Sequence, residues 1–424
     1  MQSTPPKPHL YIKSPSGQSF IGARFSPRTL RNTLGILCLL AVLGLGAWWG
    51  AREISTGNRG DIGTTFELAP GPWGKITAQP ILIEAPSDLI ARDDLLGDGF
   101  WYFHARTADE VFSLLRGSGV SADQTAQLLP LLETALSRDG LLRARPPEAL
   151  VRSLSPETRS ALYDKLALVP ENSAQIYPFR TTKRHVDAWL GSGNLPAELV
   201  AEVKSLLWER GPAVFFSDYN IVVDKITSPA VRHELLEQLM KRPSVILTLQ
   251  VPPGGDVAGL AAYYGPYERR EELHELLEAV SAAGGGPIGL SDLLPPFARE
   301  RLYRHPEPLP GQTALSWDCN WTAFNFFSRG GADNTFHDSD ELERFLREKY
   351  EVVDGEPRFG DVVLLTRPDG RSIHAAVYIA DNIVFNKNGM QVLTPFLFTT
   401  MDDMLALHAE DNRGRIIYYR RKKI

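Results

Sequence analysis

The sequence predicts an α+β protein with an N-terminal single transmembrane helix, a mostly α-helical middle domain, and a C-terminal domain of one helix plus an antiparallel sheet. Three observations predict it. An uncharged run of 19 residues lies near the N-terminus. From about 85 to 300, apolar residues recur at 3- and 4-residue spacing, the mark of amphipathic helices. After 313, one helical stretch gives way to short β-branched segments divided by turn residues. At 424 residues the chain exceeds one ordinary domain, and 43% apolar with 23% charged residues suits two folded units joined by linkers.

The N-terminal part is read first. Residues 1–32 carry Lys7, Lys13, Arg24, Arg28 and Arg31 and no acid, a charge of +5, with prolines and serines that predict a disordered tail. The formal net charge is −6, so the other 392 residues sum to −11, which argues against a nucleic-acid surface on the main body. The run 33–51 then spans about 28 Å as a helix, close to a bilayer's hydrocarbon thickness. Trp48 and Trp49 fit an interfacial aromatic belt. The positive flank predicts a cytoplasmic N-terminus, with everything after about residue 52 in the periplasm or outside the cell. An uncleaved anchor is preferred to a removed signal peptide: no small-x-small site follows the run, and two tryptophans sit where cleavage would fall. Residues 52–80 read as a Gly/Pro-bearing linker.

Residues 81–305 read as a mainly helical domain whose role the sequence does not state. Segments 111–115, 128–136, 199–208 and 235–240 keep helical spacing, and Ser155-Pro156-Glu157 and Ser228-Pro229 are helix-start signals. Two segments break the rule. Ala213 to Val223 and Ser244 to Val251 are rich in β-branched residues and read as strands. Tyr263-Tyr264-Gly265-Pro266-Tyr267 reads first as packing between elements and second as a stacking patch for sugar or peptide. Gly284-Gly285-Gly286-Pro287 follows a helix and lacks phosphate-loop spacing, so it does not indicate nucleotide binding. The proline-rich stretch His305 to Gly311 marks the domain boundary.

The C-terminal domain, 311–424, carries the chemistry. Of the two cysteines, Cys38 falls in the apolar run and Cys319 beyond it, so they cannot pair, and an unpaired exported thiol needs a task. Asp318 is a good N-cap for a helix running from Cys319 through Phe327, which places the thiol in the first turn, where free amides favour the thiolate. Gly360-Asp361 opens a strand, and Arg367-Pro368-Asp369-Gly370 turns into a second strand holding His374. His374 is the only one of nine histidines in such a context; His104, His185, His233, His274 and His408 read as surface or core-satellite residues, and His337 is the rival base. No His/Cys/Asp grouping has metal-ligand spacing, and no cofactor is called for.

These residues, in this order, resemble the NlpC-type branch of the papain-like fold, bacterial cell-wall cysteine peptidases. Asp318-Cys319, Gly360-Asp361 and His374-Ala375-Ala376-Val377-Tyr378 correspond to that family's D-C, G-D and H-x-x-x-Y blocks, over roughly residues 313–395. The resemblance implies a papain-like domain with Cys319 as nucleophile and His374 as base. It also implies a polar residue on the following strand that orients the imidazole, and Asn386, twelve residues on, matches its position, with Asn388 in reserve. A two-residue hairpin at Asp381-Asn382 would put Asn386 on the sheet face opposite His374, whereas a longer loop or a bulge restores it to the same face. Where the family has Ser-Gly after the cysteine, this chain has Asn320-Trp321, as in the sister CHAP-type amidases. The implied activity is hydrolysis of an amide or peptide bond in peptidoglycan by a membrane-anchored enzyme. The alternatives are a cell-envelope scaffold that binds without turnover, and a thiol hydrolase or acyltransferase on lipid or protein amides.

Overall fold

The computed structural model describes residues 62–422 apart from 93–96, 136–140, 192, 330, 338 and 409–414. The expected basic tail and the run 33–51 lie outside the described residues, as does Cys38. Among the described residues no helix is long and apolar enough to cross a membrane. The longest of them, Arg270–Ala282, has 13 residues, about 20 Å against a hydrocarbon core of about 30 Å. The expected fold class is therefore corrected to mixed α+β without its transmembrane helix, and the expected single-pass membrane placement is not supported.

Among the described residues four sheets organise the chain, all within one compact unit. The first orders β1 (Phe66–Glu67), β2 (Lys75–Ile83), β9 (Arg242–Val251) and β10 (Gly286–Gly289), all antiparallel. Two three-stranded sheets lie in the middle of the sequence. One is β3 (Trp101–Phe103), β5 (Leu142–Ala144) and β4 (Glu133–Thr134); the other is β6 (Phe179–Thr182), β8 (Ala213–Phe216) and β7 (Trp208–Arg210).

Helices fill the rest of the middle region, and their ends follow local chemistry. Thr107 and Glu110 form a capping box on Ala108–Arg116, and Ser155 and Ser228 cap Pro156–Leu166 and Pro229–Met240 with proline at the first position. The expected helix over 128–136 is corrected: Ala122–Leu128 passes into a single 3-10 turn at Pro130 and then into β4, because proline withholds the next amide. The expected strand 213–223 stops at Phe216, and Tyr219–Val223 coils into a short helix. The expected strand at Ser244–Val251 is β9.

The last sheet positions the candidate site. Its order is β11 (Tyr350–Val352), β16 (Arg415–Arg421), β12 (Val362–Thr366), β13 (Ser372–Ala380), β14 (Ile383–Lys387) and β15 (Phe396–Thr400). The C-terminal extension thus runs inside the sheet, between β11 and β12. Both sheet faces are covered, which explains near-continuous burial along β12 to β15. One face, with Ala375, Val377 and Phe385, packs on the Cys319–Phe324 helix and on residues of β2 and β9. The other, with Val363, Ala376, Tyr378 and Val384, packs on Met401 and Met404 of the Met401–His408 helix. Residues on both sides of 305–311 contribute to the first of these cores, and Ser244 Oγ donates to the Phe398 carbonyl at 2.8 Å. Tyr263 and Tyr264 are buried, donating to the Ile379 and Trp73 carbonyls at 2.8 and 2.7 Å, so these rings tie the sheets together.

Candidate active site

The cysteine helix begins where its cap dictates. Asp318 is extended and its carboxylate accepts the Trp321 amide at 2.8 Å, a cap worth about 1 kcal/mol. The helix ends at Phe324, short of the expected Phe327. Asn325 causes this, because its side chain donates to the Trp321 and Asp333 carbonyls and accepts the Asp333 amide, diverting the chain. Trp321, where the family of resemblance has a small residue, is buried against Phe297 and stacks on Trp317.

The β13–β14 turn settles the side of the imidazole's neighbour. Asp381 takes a positive φ of 46°, and the register shifts between Tyr378↔Val384 and Ala380↔Ile383, a bulge of one residue. The shift places Asn386 on the same sheet face as His374, the face of Ala376, Tyr378 and Val384. Cys319 packs against the opposite face, with Ala375 and Phe385. The structure therefore brings two of the three predicted residues onto one face and leaves the thiol on the other. The pairing of β13 with β14 stops at Val377↔Phe385, so the strands part toward His374 and Asn386. Across this parting the Ala375 amide serves the thiol.

Burial governs the site's protonation. It pushes the Cys319 thiol up to about 11, and neighbouring Asp318 adds to the rise; hydrogen bonds from the Ala375 and Asn320 amides and the charge of Lys387 oppose it. Burial brings His374 down to about 3, helped by the cations Arg180 and Lys387. At neutral pH both groups are uncharged, and no thiolate–imidazolium pair exists in this arrangement. His374 is 1% exposed, and neither ring nitrogen has a hydrogen-bond partner. Asn386, also 1% exposed, has neither amide atom partnered, and Asn320 Oδ1 is likewise unpartnered.

No family model, curated protein or solved structure matches the chain. The site is therefore argued from its own geometry.

Three side chains at the candidate site were not expected there from the sequence, in which His408 reads as a surface or core-satellite residue. His408 stacks on His374 with centroids 3.9 Å apart and bonds to Asn388 Oδ1. Lys387 is fully buried and donates to the Gly389 and Gln391 carbonyls and to Thr394 Oγ1 at 2.7, 3.1 and 3.2 Å. Burial brings it down to about 7, while three acceptors match the three protons of its ammonium. Arg180, on β6, carries its charge to the same place and sits beside Gly389. The legible signal was Lys387 itself, a charge inside an apolar strand. Arg180 and His408 come from remote segments and left none.

Other expected features have structural work. The Gly360-Asp361 block holds the sheet: Asp361 accepts Arg420 at 2.6 Å and the Arg358 amide at 2.7 Å. Gly360 has φ +87°, and a Cβ there would meet the Phe327 ring. The rival base His337 ends a 3-10 turn at Asn334–His337, and its side chain lies outside the described residues. Among the described residues no group of three or more His, Cys, Asp or Glu side chains is placed to hold a metal ion.

Proposed function

We propose that this chain is a cysteine hydrolase of amide or peptide bonds, with Cys319 as nucleophile, His374 as base and Asn386 as the residue that orients it, held here in a closed arrangement. One observation carries the reading: four polar side-chain atoms of His374 and Asn386 are buried without partners beside the strand parting that receives the thiol. Unmade hydrogen bonds in a core cost about 1–3 kcal/mol each, and apolar residues would pack there without that loss. In the proposed reaction the Cys319 sulfur attacks the carbonyl carbon and forms a thioester, and the amine leaves with a proton delivered by His374. Water then hydrolyses the thioester, with His374 accepting its proton. The Cys319 amide would donate to the oxyanion. Turnover requires His374 to leave its stack on His408 and reach the sulfur through the parting of β13 and β14. The proposed substrate is a peptidoglycan peptide, on the strength of the D-C, G-D and H-x-x-x-Y order alone.

A second reading, a binding module without turnover, is favoured by one observation: thiol and imidazole lie against opposite faces of the sheet. Alkylation of Cys319 across pH, in the wild type and in His408→Ala, separates the two. The hydrolase reading expects slow labelling that quickens when His408 is removed and slows again when His374→Ala is added, together with release of amines from muropeptides. A thiol with the same high pKa in all variants and no muropeptide turnover would leave the binding module standing.

A further inference from the structure

One charge at the thiol site goes unanswered by the protein. Arg180 stands on β6, in the middle region and outside the stretch that resembles a known family. β6 turns one side toward the C-terminal sheet. Thr182 Oγ1 donates to Asp403 at 3.5 Å. Arg180, two residues earlier and so on the same side, lies against Gly389, its Nη2 3.9 Å from where a Cβ there would stand. The Gly389 carbonyl accepts Lys387 at 2.7 Å, so two cations meet at one glycine. Lys387 shares the sheet face of Phe385, against which Cys319 packs. The guanidinium is thereby within electrostatic reach of Cys319, Lys387, His374 and His408.

Its charged neighbours are committed elsewhere. Lys387 serves its loop, Arg242 donates to the Leu239 and Lys241 carbonyls at 2.8 and 2.9 Å, and Arg184 donates to Asp403 at 2.9 Å. Asp403 also accepts Thr400 Oγ1 at 2.8 Å, and Asp318 caps the cysteine helix. Among the described residues Arg180 makes neither a hydrogen bond nor an ion pair. It is partly exposed and none of its nitrogens is sealed from solvent, so the fork is open to a ligand. Burial brings it down to about 10, which leaves it charged at neutral pH, where the Cys319 thiol is neutral and supplies no counter-charge. An unpaired cation so deep in a protein is costly, and its planar fork matches a carboxylate bidentately.

We propose that Arg180 is a specificity residue of the thiol site, pairing with a free carboxylate that the substrate carries close to the carbonyl presented to Cys319. This rests on the reading of Cys319 as nucleophile. A substrate amidated at that carboxylate is discriminated against, because it leaves the guanidinium unpaired.

Iodoacetate and iodoacetamide test this on the full chain, since both alkylate the same sulfur and they differ in bearing a carboxylate or a neutral amide. The rates are read on the Cys319 peptide by mass spectrometry. The expected ratio of iodoacetate to iodoacetamide rates is at least tenfold above that of free cysteine at the same pH, and falls tenfold or more in Arg180→Gln. Should that variant not fold, Arg180→Lys, which keeps the charge and loses the fork, is expected to lower the ratio at least threefold. A wild-type ratio equal to that of free cysteine, or a ratio unchanged in the folded variants, would overturn the proposal. Both rates falling together, with the ratio kept, would make Arg180 a counter-charge of the thiolate and overturn it as well. The ratio is read without turnover. Missing amine release from muropeptides with the ratio intact therefore overturns the hydrolase, and the reverse result overturns the carboxylate site.

Discussion

At the scale of single residues, Lys387 shows how a charge is kept in a dry core. Its ammonium meets three oxygens in the loop 389–394, so the charge is distributed over hydrogen bonds that also fold that loop back on β14. Removing the donor strands all three acceptors. Lys387→Met is expected to cost about 2–4 kcal/mol, read as a drop in the urea midpoint at constant slope. A loss under about 0.5 kcal/mol would mean that the loop is held by other contacts. The same ammonium lies close enough to lower the Cys319 thiol, so this stabilising residue also tunes the proposed nucleophile.

At the scale of elements, the Cys319–Phe324 helix is less than two turns long and depends on its cap. Asp318 plays two opposed parts: its oxygen satisfies the Trp321 amide, and its charge raises the thiol. Asn caps as well as Asp. Asp318→Asn is therefore expected to leave stability within about 0.5 kcal/mol and to lower the thiol's titration from its position near 11, measured as the pH at half-maximal alkylation rate. An unshifted midpoint would show that the carboxylate's charge does not reach the sulfur. The β13–β14 hairpin teaches a related lesson. One bulged residue decided whether Asn386 shares a face with His374, and the left-handed Asp381 that makes the turn is fixed by its carboxylate accepting the Ala69 amide at 2.9 Å, from a segment more than three hundred residues earlier.

At the scale of the whole molecule, buried neutral histidines set the acid limit. Burial brings His374 to about 3 and His305 to about 4, against 6.5 for the free side chain. Below 6.5 the unfolded chain takes up protons that the folded chain refuses, so their contribution is complete above pH 6.5 and drains as pH falls toward 4 and 3. Asp218 works the other way. Burial raises it to about 6, so the folded chain binds its proton more tightly, and stability from this group is full below about 3.8 and lost as pH rises through 6. His408, stacked on His374, is lowered by burial as well, so three histidines outweigh one aspartate. We expect a net loss of about 3–5 kcal/mol between pH 6.5 and 4.5 in urea unfolding, with a shallower slope in His374→Gln. A flat profile over that window would show that the rings reach water before unfolding.

The sequence by itself determined the elements whose causes are local. Asp318 and Ser228 mark helix starts by their side-chain chemistry, Arg367 to Gly370 marks a hairpin by its turn residues, and β9 is legible from its β-branched run. It also offered Cys319 as an unpaired thiol at a helix start and His374 as the one histidine in a strand context, whereas Asn386 came only from the family resemblance. The tertiary structure alone decided their relation. Pleating alternates side chains between faces, so the side on which each group lies depends on bulges, register and the helix chosen to cover each face, none of which is encoded at neighbouring positions. The stacking of His408 on His374 and the approach of Arg180 arise from contacts among distant stretches. Composition and periodicity register which residues are apolar, not which distant residues meet, and these features had no signature in the order of the amino acids.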